Sequence, residues 1–420
     1  MRKRAQRNRM NKKVYIDTLG CAKNEVDSQV LAANLLKKGF VLTGDPEEAG
    51  ILIVNTCGFI EAAKAESISR IFELAAVKGE EKKLVVTGCL AERYHEELAK
   101  EMPEADIFAG VNDYDALPDL LWDGSAGGDC VAGDPGDILP YEERLFPEGA
   151  YSGHLRIAEG CSNSCAFCAI PMIRGAYRSK PMEDCLREAR EMAEAGIREI
   201  SVIAQDTSRY GEDLYGRQAL PELLTKLAGI EGIDWIRLMY VYDDGITDEL
   251  IDVIAREEKI CSYIDMPIQH VADPVLRRMY RRSDGASIRA TIRRLRDRIP
   301  DVRIRTTLLI GFPGETEEDI DALLRFLEEY RIDRVGAFAY SDEEGTPAYE
   351  MPDKVDPQTA DERLDRVMSA QRDISASLNA EMTGSILDVI IDEVHEDGCY
   401  TGRTRYDAPE IDNAVSFTGA

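Results

Sequence analysis

Short apolar runs alternating with amphipathic stretches dominate the first 120 or so residues. Val14-Tyr15-Ile16, Ile51-Leu52-Ile53-Val54 and Leu84-Val85-Val86 are too short for helices and rich in β-branched residues, which predicts strands. Between them, residues 25–38 and 62–78 carry apolar positions at helical spacing. Strand, helix and strand at this interval predict βαβ units in an open parallel α/β sheet. From 123 to 150 the periodicity is lost among six Gly and three Pro, the composition of a linker.

A second, longer βα series follows. Candidate strands are 154–158, 199–204, 235–240, 262–266, 303–310 and 334–339, with helical patterns at 182–195, 248–257, 287–298 and 317–330. Six βα units predict a partial (βα)6 barrel whose site lies at the carboxyl ends of its strands. A helix near 357–380 leads into a β-rich tail from Gly384. The expected division is an arm at 1–13, an α/β domain at 14–122, a linker at 123–150, a barrel at 151–380 and a small β domain at 381–420. No repeat of the solenoid kind is present.

Composition narrows the class. Of the 420 residues, 44% are hydrophobic and 31% charged, ordinary globular values, and the formal charge is −28. So acidic a surface argues against general binding of nucleic acid and suits a basic partner protein. No run of about 18 apolar residues exists to span a membrane. Seven of the first 13 residues are Lys or Arg, but no apolar segment follows them, so they read as a disordered arm rather than a secretory signal. Ten cysteines are too sparse for a disulfide framework, and reduced thiols in a cytoplasmic protein are expected. Cys130 in the linker, Cys185 in a helix, Cys261 at a strand start and Cys399 in a turn read as small hydrophobes.

The other six form two triplets. Cys161, Cys165 and Cys168 make a C-x3-C-x2-C run directly after the first barrel strand. No further Cys or His lies within about 15 residues downstream, whereas structural zinc wants four ligands. Three thiolates suit an iron–sulfur cluster with one open iron, and the alternative is zinc borrowing a distant ligand. Cys21, Cys57 and Cys89 are 36 and 32 residues apart, and each sits just past an apolar run. The carboxyl ends of parallel strands share one edge, so three such thiols can meet there. Core cysteines, the alternative, would fall inside the strands.

The 161–168 loop, with Phe167 before its last cysteine, resembles that of the radical S-adenosylmethionine (SAM) superfamily. The resemblance implies a 4Fe-4S cluster whose open iron is chelated by SAM, and electron transfer that yields a 5′-deoxyadenosyl radical. Ala204-Gln205-Asp206-Thr207 stands where the superfamily often has Gly-Gly-Glu. Ile310 to Glu315 stands where the family packs SAM, so Gly311, Gly314 and Glu315 are possible SAM contacts. The same segment also reads as a tight turn and helix start, with Thr316 and Asp319 near the cap.

Thr18-Leu-Gly-Cys-Ala-Lys-Asn24, Val54-Asn-Thr-Cys-Gly-Phe-Ile60 and Val86-Thr-Gly-Cys-Leu-Ala91 resemble the N-terminal domain of the methylthiotransferases. That resemblance implies a flavodoxin-like sheet, a second 4Fe-4S cluster on Cys21, Cys57 and Cys89, and a C-terminal TRAM barrel of the OB kind. Only 37 residues follow Thr383, room for about four strands of that five-stranded barrel, which is expected to be incomplete. Residues 158–161, 167–171, 174–179, 203–206 and 402–412 resemble the branch that modifies an aspartate β-carbon of a small-subunit ribosomal protein, and the alternative branch modifies an adenosine of transfer RNA. Residues 384–420 carry eight Asp or Glu against two Arg, which suits a basic protein substrate better than RNA. Asp388, Asp392, Glu393, Glu396 and Asp397 are expected to steer it. A reductase as electron donor and a sulfur donor of unknown kind complete the expected partners.

Overall fold

The structure, a computed structural model, describes residues 12–123, 129–131, 139–396 and 398–419. Nearly all of the expected basic arm, and Asp397, lie outside the described residues. The chain forms two compact units. The first is Met1–Pro147 with Gly160–Ser162 and Ala169–Arg178, and the second is Glu148–Glu159, Asn163–Cys168 and Ser179–Ala420.

In the first unit six parallel strands form one sheet: β1 (Lys13–Thr18), β2 (Val41–Leu42), β3 (Ile51–Thr56), β4 (Lys83–Gly88), β5 (Ile107–Ala109) and β6 (Asp129–Val131). Their order is β2-β1-β3-β4-β5-β6. The Ile51–Val54 run is continuous because both faces are covered. Ile51 and Ile53 enter one core with Val30, Leu31 and Leu35, while Leu52 and Val54 enter another with Ile71 and Leu74. Helices α1 (Ala22–Lys37), α2 (Glu61–Lys78), α3 (Cys89–Glu101) and α4 (Leu117–Asp123) supply the covering faces. A short helix, α5 (Ile170–Arg174), belongs to this unit too, with Ala169 and Ile173 packed against Cys89 and Val111. Strand β6 lies inside the stretch expected as a linker. It is held by backbone pairing to β5, which the glycine content does not forbid.

The second unit is built on β7 (Ser152–Arg156), followed along the chain by the short β8 (Ala158–Glu159) and β9 (Arg178–Ser179). Then come β10 (Glu199–Ile203), β11 (Trp235–Leu238), β12 (Ile260–Asp265), β13 (Arg303–Ile310) and β14 (Arg334–Ala339). Strands β7 and β10 to β14 pair in parallel in sequence order, and β7 and β14 are the edges of the sheet, so the barrel is open as expected. Helices α6 (Met182–Glu194), α7 (Glu212–Tyr215), α8 (Leu220–Ala228), α9 (Asp248–Arg256), α10 (Asp273–Arg278), α11 (Gly285–Arg298) and α12 (Glu317–Tyr330) lie between the strands. The cap of α12 is the expected one, with Thr316 and Asp319 bonded reciprocally.

Helix α13 (Pro357–Glu381) leads to a three-stranded antiparallel sheet of β15 (Val389–Val394), β16 (Cys399–Thr404) and β17 (Val415–Thr418), one strand fewer than the tail had room for. Cys399 opens β16 rather than sitting in a turn. This tail docks on the amino-terminal part of the barrel. Arg403 bonds Glu199 at 2.8 Å, and Arg237, fully buried, bonds both Glu199 at 2.8 Å and the Arg405 carbonyl at 2.9 Å. Asp407 takes Arg334 at 2.8 Å, and Asp412 takes the Tyr263 hydroxyl at 2.5 Å. Asp392, expected to steer a substrate, is instead paired with Arg403 at 2.8 Å, while Asp388, Glu393 and Glu396 are exposed.

Candidate metal centres

In the first unit the strand order reverses between β1 and β3, and the crevice at such a switch point is where open α/β sheets bind ligands. Cys21 follows β1, Cys57 follows β3 and Cys89 follows β4. The turns bring them together. The Cys21 and Cys89 thiols both lie 3.8 Å from Asn24 Oδ1, and a Cβ on Gly20 would fall 3.3 Å from Cys57 Sγ. Gly20 has φ +97°, which leaves that close approach to glycine. Asn24 is fully buried, and its amide donates to the Thr56 carbonyl at 2.9 Å, so one side chain ties the three turns together. Cys57 is fixed by Ser67, whose hydroxyl bonds both its N–H and its carbonyl at 3.0 Å.

Cys21 caps α1 and Cys89 is the first residue of α3, so two helix amino ends offer positive dipoles to thiolates here. Arg174 adds a full charge: Nη2 lies 3.3 Å from Cys89 Sγ and 3.0 Å from Asn24 Oδ1, and Nη1 lies 2.9 Å from Asp27. Burial nevertheless pushes the Cys89 thiol up to about 12, opposed by Arg174, and burial also raises Cys57. Such thiols stay protonated in water at neutral pH and ionise when a metal takes the proton's place. Among the described residues no three His, Cys, Asp or Glu groups converge as a single ion requires. An iron–sulfur cluster spreads its thiolates over separate corners, and three thiols around one asparagine, Cys89 buried, Cys57 half-buried and Cys21 exposed, fit that donor set.

The other triplet sits on the loop between β8 and α5. Gly160 opens it at φ +75°, where a Cβ would collide with the Ala176 carbonyl, and Cys161 N–H donates to the Gly175 carbonyl at 3.1 Å. Segments beyond the carboxyl ends of three barrel strands pin the next part. Asn163 donates to Asp206 at 2.8 Å, Ala166 N–H donates to the Met279 carbonyl at 3.0 Å, and Ala348 N–H donates to the Ala166 carbonyl at 2.8 Å. Asp206 is buried, and burial raises its carboxyl against the bonds from Ser208 and Asn163. Arg281 Nη1 stands 3.7 Å from Cys165 Sγ, with its own plane over the Tyr242 ring at 4.3 Å. Cys161 and Cys165 are buried and Cys168 is half-buried.

Phe167 meets Phe312 edge-on at 6.4 Å, which packs the 310–315 turn against this loop. Gly311 and Gly314 take φ +79° and +82°. The Glu315 side chain turns inward: both oxygens accept from Gly311 N–H at 3.0 Å, and one accepts from Arg363 at 3.0 Å. Burial raises its carboxyl to about 7 and lowers the adjacent His270 to about 4. His270 accepts from Ala272 N–H through Nδ1 at 3.0 Å, so Nε2 carries the proton and faces Glu315 at 3.7 Å.

Three family models match the chain in series. Residues 13–110 match uncharacterized protein family UPF0004, residues 155–327 the radical SAM superfamily, and residues 383–420 the TRAM domain. A ribosomal protein uS12 methylthiotransferase RimO of Geobacter sulfurreducens is 48% identical over 97% of this chain and 92% of its own length. The chain belongs to the RimO family. A second relative so named, from Clostridioides difficile, is 47% identical over 96% of this chain and 92% of its own. RimO proteins are radical SAM methylthiotransferases, so this is an enzyme, a transferase, and its cofactors include a 4Fe-4S cluster and SAM. Among solved structures, the radical SAM methyltransferase TsrM of Kitasatospora setae superposes with TM-score 0.60 at 14% identity, covering 81% of this chain and 74% of its own. That likeness speaks to fold alone.

Asn24, Arg174 and Arg281 were not among the sequence-derived site residues, although Asn24 and Arg174 lie within the motif segments. Only tertiary contact reveals their roles, since Arg174 is 85 residues from Cys89 and Arg281 is 116 from Cys165.

Proposed function

We propose that this chain methylthiolates the β-carbon of an aspartate in the small-subunit ribosomal protein uS12, using SAM and two 4Fe-4S clusters, one on Cys161, Cys165 and Cys168 and one on Cys21, Cys57 and Cys89. The relatives' names support the substrate. The observation that carries the two-centre reading is the meeting of Cys21, Cys57 and Cys89 around Asn24. When bound, SAM at the first cluster supplies the hydrogen-abstracting radical, and the second supplies the place where sulfur is methylated and handed on.

The protein's share is to hold and to shield. Asn163, Ala166 and Arg281 fix the Cys161–Cys168 loop, and Gly311, Gly314 and Glu315 shape the turn against which SAM would lie, with Glu315 acting through the Gly311 backbone. Asn24 and Arg174 fix the other triplet. Burial shields Cys89, Cys161 and Cys165 from water, while Cys57 and Cys168 are half-buried and Cys21 is exposed. A reductase and a sulfur donor are the partners this chemistry needs. The reading places the enzyme in the cytoplasm, and no described helix is long and apolar enough to cross a membrane. It also assigns residues 14–122 to sulfur carriage, 151–380 to radical chemistry and 381–420 to substrate.

Anaerobic reconstitution followed by an iron count tests the centres: two clusters give roughly eight iron atoms per chain, and about four overturns the two-centre reading. Incubation with SAM, reductant and sulfide, with uS12 or with transfer RNA, tests the substrate. Methylthio product on the RNA alone overturns it.

A further inference from the structure

Arg174 is 2% exposed, and its ion-pair partner Asp27 is 1% exposed. Desolving such a pair costs several kcal/mol per ion, and apolar residues of the same volume often serve stability equally well. Stability is thus a poor reason for this pair, and its geometry suggests another. The guanidinium donates through Nη2 to two acceptors, Cys89 Sγ and Asn24 Oδ1, while Nη1 faces Asp27 as an ion pair. A lysine, with a point charge, has no planar fork. The Arg174 backbone is fixed by α5, through Ala169 and Ile173 against Cys89 and Val111.

We infer that Arg174 is a positioning residue of the N-terminal centre. It holds the Cys89 sulfur by an N–H···S hydrogen bond and raises the electron affinity of the cluster bound there. This rests on the two-centre reading above. Hydrogen bonds to ligand sulfurs are one of the levers that set cluster potential, because they draw charge away from the metal. Helix α5 begins two residues after Cys168, so the residue that tunes one centre is carried on the chain that leaves the loop of the other. Arg174 touches no substrate, and its action runs through Cys89 and Asn24.

The test uses full-length chain with Cys161→Ala, Cys165→Ala and Cys168→Ala, which leaves only the N-terminal triplet to bind iron. Two variants are added to it, Arg174→Lys and the paired Arg174→Met with Asp27→Asn, the pair keeping net charge constant so that a shift reports the hydrogen bond. Iron per chain and the midpoint potential, followed by electron paramagnetic resonance, are the readouts. We expect about four iron atoms in all three proteins. The potential should fall in both variants, most in the pair, where the reduced-to-oxidised ratio at fixed potential drops about tenfold, about 59 mV for one electron. An unchanged potential with iron retained overturns the proposal. So does loss of iron from both variants at wild-type melting temperature, which would make Arg174 part of the site's fold only. A parent protein without iron overturns the two-centre reading itself, a different result from either.

Discussion

Replacing Arg403 with alanine should release the C-terminal sheet while the barrel stays folded. The side chain is 6% exposed and bonds Glu199 at 2.8 Å, with a two-toothed contact to Asp392 at 2.8 Å. Its loss does not strand Glu199, because Arg237 still holds that carboxylate at 2.8 Å. The cost is then one buried charge-assisted hydrogen bond, about 1.5–3 kcal/mol, plus up to about 1 kcal/mol for Asp392, whose side chain is 31% exposed. A loss of about 1.5–4 kcal/mol predicts amide exchange in β16 faster by about 10- to 1,000-fold. Amides of β13 should keep their wild-type rates. Glu199→Ala differs in kind: it leaves Arg237 and Arg403 buried without their shared anion, about 3–5 kcal/mol, and should loosen β10 and β11 as well. Hydrogen exchange read by mass spectrometry on the reconstituted enzyme measures both. If β16 in Arg403→Ala exchanged at the wild-type rate, the Glu199 network would not be what holds the tail. Equal acceleration of β13 would mean that tail and barrel open as one unit.

Any one of Cys161→Ala, Cys165→Ala or Cys168→Ala should abolish 5′-deoxyadenosine formation from SAM, since soft thiolates have no substitute nearby; product at the wild-type rate would place the radical centre elsewhere. Cys57→Ala should keep SAM cleavage and lose methylthiolation, as chromatography of the two products would report, and retained methylthiolation would make that triplet structural only. Glu315, raised to about 7, lends stability that is present below its usual 4.5 and lost as pH rises through 7; His270, lowered to about 4, lends stability present above its usual 6.5 and lost as pH falls through 4. The two cancel between about pH 4.5 and 6.5, with Arg363 and Asp319 the other charges facing them, so Glu315→Gln should make the urea midpoint fall on acidification in that window, and a midpoint as flat as wild type's would refute the pairing. Asp388→Asn, Glu393→Gln and Glu396→Gln together should slow association with uS12 at low salt and leave substrate-free SAM cleavage unchanged; unchanged association would make these acids a solvated edge.

Where hydrophobic pattern alone decides an element, the sequence was readable: 303–310 and 334–339 are the strands found, and the Thr316 cap is the cap found. The two-residue β2 and three-residue β6 were not readable, because pairing with a neighbouring strand holds them rather than any run of their own. The cysteines could be grouped because parallel strands share a carboxyl edge, a rule independent of side-chain detail. Their companions could not. Nothing local distinguishes Asn24 from a helix-start asparagine, or Arg174 from a surface arginine. The acidic tail was readable as charge, but Asp392, Asp407 and Asp412 are committed to arginines and a tyrosine of their own unit, which a count of charges does not reveal.

The tail docks where the barrel strands begin, whereas Cys165 and Cys168 lie where they end. Strand β13 has eight residues, about 26 Å at 3.3 Å per residue. On the reading that assigns the tail to substrate, a gripped chain is anchored up to a strand length from the reacting atom, as by a tether. An extended peptide needs roughly eight residues to bridge that span. Fragments shorter than this reach the anchor or the reaction centre but never both, and lose the gain in effective concentration that comes from holding one chain at two points.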